Sequence, residues 1–342
     1  MTASIKVAIA GTGYFSQFHF DAWMRCPEME IVAVASLDAS AAEQAAKPHG
    51  AKVFVSAREM IETVDADLVD IVTPPPTHRD LIEACAARGV MSICQKPFCG
   101  TLDAAHDAVK VLQAAEATCV VHENFRFQPW YQAVKAVLDD GRLGTIYQAL
   151  FRLRPGDGQG ADAYLERQPY FQTMERFVVH ETGVHYIDVF RYLFGPLETI
   201  WADLRKLNPV IAGEDDGLLV LGHDNGLRTL IDANRLADHA ATNTRRTMGE
   251  LIIDGEKGEL RLDGEAQLTF RARGSSDWQT IDYRWNDHGF GGDCVYNFTR
   301  HVVDHLVDGT PLANTAADYL ANLEAEEAAY RSAKTGCVQK LA

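Results

Sequence analysis

In the first third of the chain the apolar positions form short continuous runs, with helically spaced stretches between them. Residues 5–10, 30–35, 68–72, 90–94 and 118–121 are the runs, and 18–25, 79–88 and 104–115 are the helical stretches, the second stopped by Gly89. Continuous apolar runs of this length read as strands buried on both faces, the pattern of a parallel sheet. Strand–helix repeats joined by right-handed crossovers predict a doubly wound sheet over residues 1–123.

After Asn124 the rhythm changes. Residues 130–138 keep helical spacing, closed by Gly141 and Gly144, and alternation then dominates at 145–152, 198–206, 217–222, 227–234, 249–254, 259–263 and 266–273. Asp224-Asn225-Gly226 and Gly255-Glu256-Lys257-Gly258 are hairpin turn signals. Segments 154–160 and 271–277 read as loops, and helices at 296–307 and 315–335 close the chain. The fold class predicted is α/β. A Rossmann-type doubly wound parallel sheet occupies 1–123, and an α+β domain with an open, mainly antiparallel sheet occupies 124–342.

With 342 residues the chain exceeds what one core comfortably organises, which agrees with two domains. A net charge of −16 argues against a nucleic-acid partner, since such binding relies on Lys and Arg displacing counterions. No run of about 18 apolar residues suggests a membrane span. Met1-Thr2-Ala3-Ser4 leads into the first strand without a signal-type segment, so a cytoplasmic location is expected. The seven cysteines are odd in number and form no C-x-x-C pair; they read as reduced, mostly buried thiols, with neither a disulfide framework nor a zinc site.

Three places carry chemistry. The first strand runs into Gly11-Thr12-Gly13-Tyr14-Phe15-Ser16. Gly11 permits a tight turn, Gly13 lets backbone N–H groups approach a pyrophosphate, and the helix after them points its positive end at that site. The second strand ends in Ser36-Leu37-Asp38, where an acid for the adenosine ribose hydroxyls is expected about 20 residues on. With no Arg or Lys in 36–40 to meet a 2′-phosphate, the cofactor expected is NAD, NADP being disfavoured. Lys96 follows the fifth strand and precedes a proline, which puts it at the carboxyl edge as a proton-transfer candidate. In the second half, Glu181 and His185 stand four apart in the segment from His180 to Asp188, so that on a helix the carboxylate orients the imidazole. The segment misses the H-E-x-x-H metal spacing by one place, so no metal is expected. His301 and His305 read as ordinary helix residues.

Taken together, the glycine turn, the lysine–proline pair after the fifth strand and Glu181-x-Gly183-x-His185-x-x-Asp188 resemble the Gfo/Idh/MocA oxidoreductases, over nearly the whole chain. That resemblance implies Lys96 and His185 as catalytic residues, with Glu181 in place of the aspartate that pairs with the histidine. It implies that the loop from Thr73 and Pro74 to His78 lies along the cofactor, joined there by Tyr14, Phe15, Gln95, Lys96 and Asn124. Substrate hydroxyls are expected to meet Lys96, His185, Glu181, Arg126, Tyr164, Arg167 and His180. Gln95 replaces the family's usual Glu, Glu181 its Asp, and the usual triple glycine gives way to Thr173-Met174-Glu175-Arg176-Phe177. The strings 122–130 and 154–158 are similar to a subgroup that includes D-apiose dehydrogenases.

The function so implied is NAD-dependent oxidation of a neutral sugar or polyol hydroxyl, with an apiose-like aldose oxidised at its anomeric carbon to the lactone. Alternatives are a carbonyl reductase, a redox-assisted glycosidase, or a cofactor-binding regulator without turnover. The partners expected are the small substrate and further copies of the chain, as a homodimer or homotetramer.

Overall fold

The structure, a computed structural model, describes residues 4–341. Met1 to Ala3, read above as leading into the first strand, and Ala342 lie outside the described residues. Contacts divide the chain into two units: residues up to Asn124 with Val295–Ala321, and Phe125–Cys294 with Asn322 onward.

The first unit begins with β1 (Ile5–Ala10), α1 (Ser16–Met24), β2 (Met29–Ala35), α2 (Ala39–Ala46), β3 (Lys52–Phe54) and α3 (Ala57–Thr63). It continues with β4 (Leu68–Ile71), α4 (His78–Ala87), β5 (Met91–Gln95), α5 (Leu102–Ala114) and β6 (Cys119–His122). The six strands are parallel in the order β3-β2-β1-β4-β5-β6. Ala10 pairs with both Ala35 and Ile71, and Ile71 with Cys94. One edge therefore collects the residues that follow β1, β2, β4 and β5, which is where ligands of such sheets bind. Ser56, Thr101 and Asp38 cap α3, α5 and α2 by accepting backbone N–H groups.

The second unit contains α6 (Pro129–Asp139), β7 (Ile146–Leu153), a π-helical turn at Val178–Gly183 and α7 (Val184–Phe194). Then come β8 (Leu197–Arg205), β9 (Asp216–His223), β10 (Arg228–Asn234), β11 (Gly249–Gly255), β12 (Gly258–Leu262), β13 (Leu268–Ala272) and β14 (Trp278–Ile281). The chain closes with α8 (Cys294–Asp308), α9 (Ala316–Thr335) and β15 (Gln339–Lys340). Nine strands line up as β14-β13-β12-β11-β7-β10-β9-β8-β15, antiparallel except for the β7–β10 pair. Both expected hairpins form, β9 to β10 through Gly226 at φ +83° and β11 to β12 through Glu256-Lys257. Alternate residues such as Phe151, Leu219, Leu221, Ile231, Leu251 and Ile253 enter one core with Val134, Tyr186 and Phe190. On the other face the register aligns Trp201, Val220, Leu230, Leu150 and Ile252 as a half-buried apolar row across five strands.

The contacts assign Val295–Ala321 to the first unit, whereas the sequence pattern placed everything after 123 in the second. Asn314 O accepts the Val121 N–H, Tyr319 Oη donates to Glu123, and Arg300 pairs with Glu28. These groups meet only after the chain has folded back, so periodicity could not register them. Six of the seven cysteines are buried and all are free, and burial pushes the Cys85, Cys99 and Cys119 thiols up to about 12. Among the described residues no helix is long and apolar enough to cross a membrane.

Candidate active site

The glycine turn leaves β1 with Gly11 at φ +113°, and a Cβ there would lie 2.6 Å from Val72 O, so only glycine fits. Around a Cβ at Gly13, by contrast, there is nothing within 4 Å, which leaves room for a phosphate against the backbone. Ser16, in place of the third glycine, turns its hydroxyl back onto Gly13 O at 2.7 Å. Thr12 Oγ1 donates to Ser36 Oγ, joining the glycine turn to the end of β2. Asp38 is exposed there, with Oδ1 accepting the Ala41 N–H as the cap of α2. Tyr14 is exposed, Phe15 packs against Phe18 and the His122 ring, and Asn124 is buried. The open cradle and the adjacent acid fit a dinucleotide.

Thr73 and Pro74 begin the loop after β4, closed by a Thr73–Thr77 hydroxyl bond. The His78 ring is wholly buried beneath this loop, with Nε2 2.7 Å from Thr73 O and Nδ1 3.1 Å from Pro97 O. It ties the loop to the Lys96-Pro97 turn from below. Burial lowers its pKa against the opposing pull of those two carbonyls. Lys96 is half-buried at the end of β5, its backbone N–H donated to Gln95 Oε1.

In the second unit the expected α-helical face for Glu181 and His185 needs correction. Glu181 lies in the π-helical turn and α7 starts only at Val184, so the i,i+4 geometry of an α-helix does not apply between them. Glu181 Oε2 accepts from the Thr182 hydroxyl and lies 3.4 Å from Arg235 Nη1. His185 is 5% exposed and stacks flat on Phe125, centroids 3.9 Å apart and planes 7° apart. His180 Nδ1 meets Glu326 at 2.6 Å, and its backbone N–H donates to Tyr330 Oη.

Three arginines here are matched to carboxylates. Arg126 grips Asp188 with two nitrogens, and Arg167 reaches Asp157 at 3.4 Å. Arg235, 1% exposed, holds both oxygens of Asp157 and donates to Thr182 Oγ1. Tyr164, 7% exposed, donates to Asp157 from a left-handed backbone at φ +69°. A Cβ at Gly158 would stand 2.9 Å from that hydroxyl. Arg235 and Asp157 were not singled out from the sequence, where the only pointer was the string 154–158 that contains Asp157.

Residues 5–124 match the family model described as an oxidoreductase family with an NAD-binding Rossmann fold, and residues 131–261 match the Gfo/Idh/MocA C-terminal domain. A D-apiose dehydrogenase from Paraburkholderia graminis is 34% identical to the chain, over 97% of its length and 88% of the relative. The chain belongs to the Gfo/Idh/MocA oxidoreductase family. Another D-apiose dehydrogenase, from Rhizobium rhizogenes, is 31% identical over 97% of this chain and 96% of the relative. A solved oxidoreductase from Agrobacterium radiobacter, in complex with NAD+, L-tartaric acid and magnesium, superimposes with a TM-score of 0.89 at 29% identity, covering 99% and 98% of the two chains. This Gfo/Idh/MocA member is thus an NAD-dependent oxidoreductase.

Proposed function

We propose that this enzyme oxidises a hydroxyl of a neutral sugar or polyol, and that its substrate is a short aldose of the D-apiose type, oxidised at the anomeric carbon to the lactone. The observation that carries neutrality is the charge match in the second unit. Arg126, Arg167 and Arg235 are each paired with Asp188, Asp157 or Glu181, so none of these three guanidiniums is left over for a substrate carboxylate. The likeness to two D-apiose dehydrogenases along almost the whole chain supports the choice of aldose.

Bound NAD supplies the hydride acceptor. His185 or Lys96 takes the hydroxyl proton, and Glu181, held by Arg235 and Thr182, is assigned to orient the imidazole. His180, Tyr164 and Arg126 are assigned to substrate hydroxyls or to the walls that hold them. Gly11, Gly13, Ser36, Asp38 and the loop from Thr73 would hold the cofactor. The apolar row from Trp201 to Ile252 supports assembly as a homodimer or homotetramer, which sedimentation would measure.

The test is formation of reduced nicotinamide with D-apiose, other pentoses, hexoses, inositols and sugar acids. D-apiose is expected to give the highest kcat/KM; an inositol or sugar acid ahead by about tenfold would overturn the substrate. Lys96→Ala and His185→Ala should each lower kcat by at least about a hundredfold while NAD affinity changes much less. No turnover with any donor would point to a cofactor-binding regulator.

A further inference from the structure

The first unit also holds a chain of polar groups that starts in its core and runs out to Lys96. Asp70, on β4, is completely buried. Its Oδ2 accepts the Trp23 indole N–H at 2.7 Å and lies 2.8 Å from Nδ1 of the buried His19. Nε2 of His19 stands 3.0 Å from the side-chain nitrogen of Gln95, and Gln95 Oε1 accepts the Lys96 N–H at 2.7 Å. Four residues from three elements and the turn after β5 thus form one line ending at the backbone of Lys96.

The hydrogens along this line follow from its far end. A backbone N–H can only donate, so the Gln95 atom facing Lys96 N is the carbonyl oxygen, and the amide NH2 faces His19. An NH2 can only donate as well, so His19 Nε2 carries a lone pair. The single ring hydrogen then sits on Nδ1, pointed at Asp70, and His19 is the neutral Nδ1–H tautomer. The ring is held in place by His122 of β6, centroids 4.2 Å apart, and by Phe15 at 5.7 Å. The titratable or charged groups around it are Asp70 and Cys94 on the flanking strands, His122, and Lys96 beyond Gln95.

We propose that His19, backed by Asp70, is a positioning residue for the step assigned to Lys96, and that it selects an amide over a carboxylate at position 95. His19 holds Gln95 by an amide hydrogen, and Gln95 fixes the backbone from which the Lys96 side chain departs. A carboxylate at 95 would set lone pairs against lone pairs unless His19 took up a second proton, placing a cation and an anion beside Lys96. This inference rests on the reading of Lys96 as a proton-transfer group, but the hydrogen placement it requires can be measured without turnover.

In full-length protein labelled with 15N-histidine, the His19 ring nitrogens should show the Nδ1–H tautomer at neutral pH; an Nε2–H or doubly protonated ring overturns the inference. His19→Asn keeps an N–H directed at Asp70 while removing the acceptor for Gln95. It should unfold near the parent temperature, bind NAD within about twofold, and lose kcat by at least about tenfold. Parent-like kcat in this variant overturns the inference. Gln95→Glu should displace the kcat–pH profile by different amounts in the parent and the His19→Asn backgrounds, because only in the parent can a protonated His19 offset the new carboxylate. Equal displacement in both backgrounds overturns the coupling. Lys96→Ala turning over at the parent rate would remove the function reading, whereas a wrong tautomer removes this inference alone.

Discussion

Glu181 lies 3.4 Å from the guanidinium of Arg235, a cation with 1% of its surface exposed. Burial acts to lower the Arg235 pKa, and Asp157, followed by Tyr164 and Glu181, more than reverses it, so the net direction is upward. The rings of Tyr164, Phe171 and Phe177 surround the guanidinium at 4.8–5.6 Å. In such a setting a charge is tolerated only because its partners are present, and removal of one member strands the others.

Arg235→Met should therefore lower the unfolding free energy of the second unit by about 3 kcal/mol, mostly by leaving Glu181 without its cation and Asp157 with Arg167 and Tyr164 alone. Adding Asp157→Leu should recover part of the loss. Urea unfolding of the two variants measures both, and a double variant no more stable than Arg235→Met would show that charge is not what Arg235 balances.

Gly11→Ala should abolish tight NAD binding. The backbone at φ +113° and the 2.6 Å approach to Val72 O leave no room for a methyl group, so the turn must move away from the position that cradles a phosphate. A fluorescence titration is expected to give an NAD Kd weaker by at least about tenfold. A Kd near the parent value would place the phosphate elsewhere.

Cofactor choice is expected to turn on Asp38, which caps α2 and would repel a 2′-phosphate. The parent should bind NAD more tightly than NADP; tighter NADP binding contradicts the assignment. Asp38→Asn retains a capping oxygen, so stability should stay within a few tenths of a kcal/mol while the NAD preference narrows. Asp38→Ala should lose the cap too, at about 1 kcal/mol.

Stability should fall on the acid side because of His78 and His223. Burial lowers the pKa of each in the folded chain from the ordinary 6.5. Above 6.5 both states are neutral at these rings and nothing is lost. As pH drops below 6.5 the unfolded chain takes up protons that the folded one refuses, and stability declines until the folded-state pKa is passed. Each ring contributes a slope of at most about 1.4 kcal/mol per pH unit. Melting temperatures from pH 8 to about pH 5 should show this fall, reduced in His223→Gln; a flat profile would mean that these rings titrate normally.

Much of the first unit could be read from sequence because its strands are buried on both faces and announce themselves as apolar runs. The stretch from 39 to 67 was silent: β3 is three residues long with Lys52 and Val53 exposed, so no apolar run marks it. In the second unit alternation found β7 to β13, because one face of each meets the core. It missed β14, three of whose four residues are exposed, and β15, only two residues long. Lys96 and the glycine turn were legible because their positions follow directly from strand ends. Arg235 was not, since a charged residue just beyond β10 looks like a solvated strand terminus until the fold wraps three aromatic rings around it. His301, set aside as a helix residue, accepts the Ala313 N–H and so fastens the segment after α8.

The return of Val295–Ala321 to the first unit bears on how the protein is made. The strand that needs Asn314 and the glutamate that needs Tyr319 leave the ribosome some 190 residues before their partners. Until then β6 has an unfilled edge at Val120, where Thr315 later forms a bridge, and the His122 ring lacks Phe298 against it. A fragment cut at Asn124 would keep the glycine cradle yet expose this apolar margin, and would aggregate more readily than the whole chain. The dinucleotide unit thus reaches its final form late in synthesis, even though its first strand is made at the start.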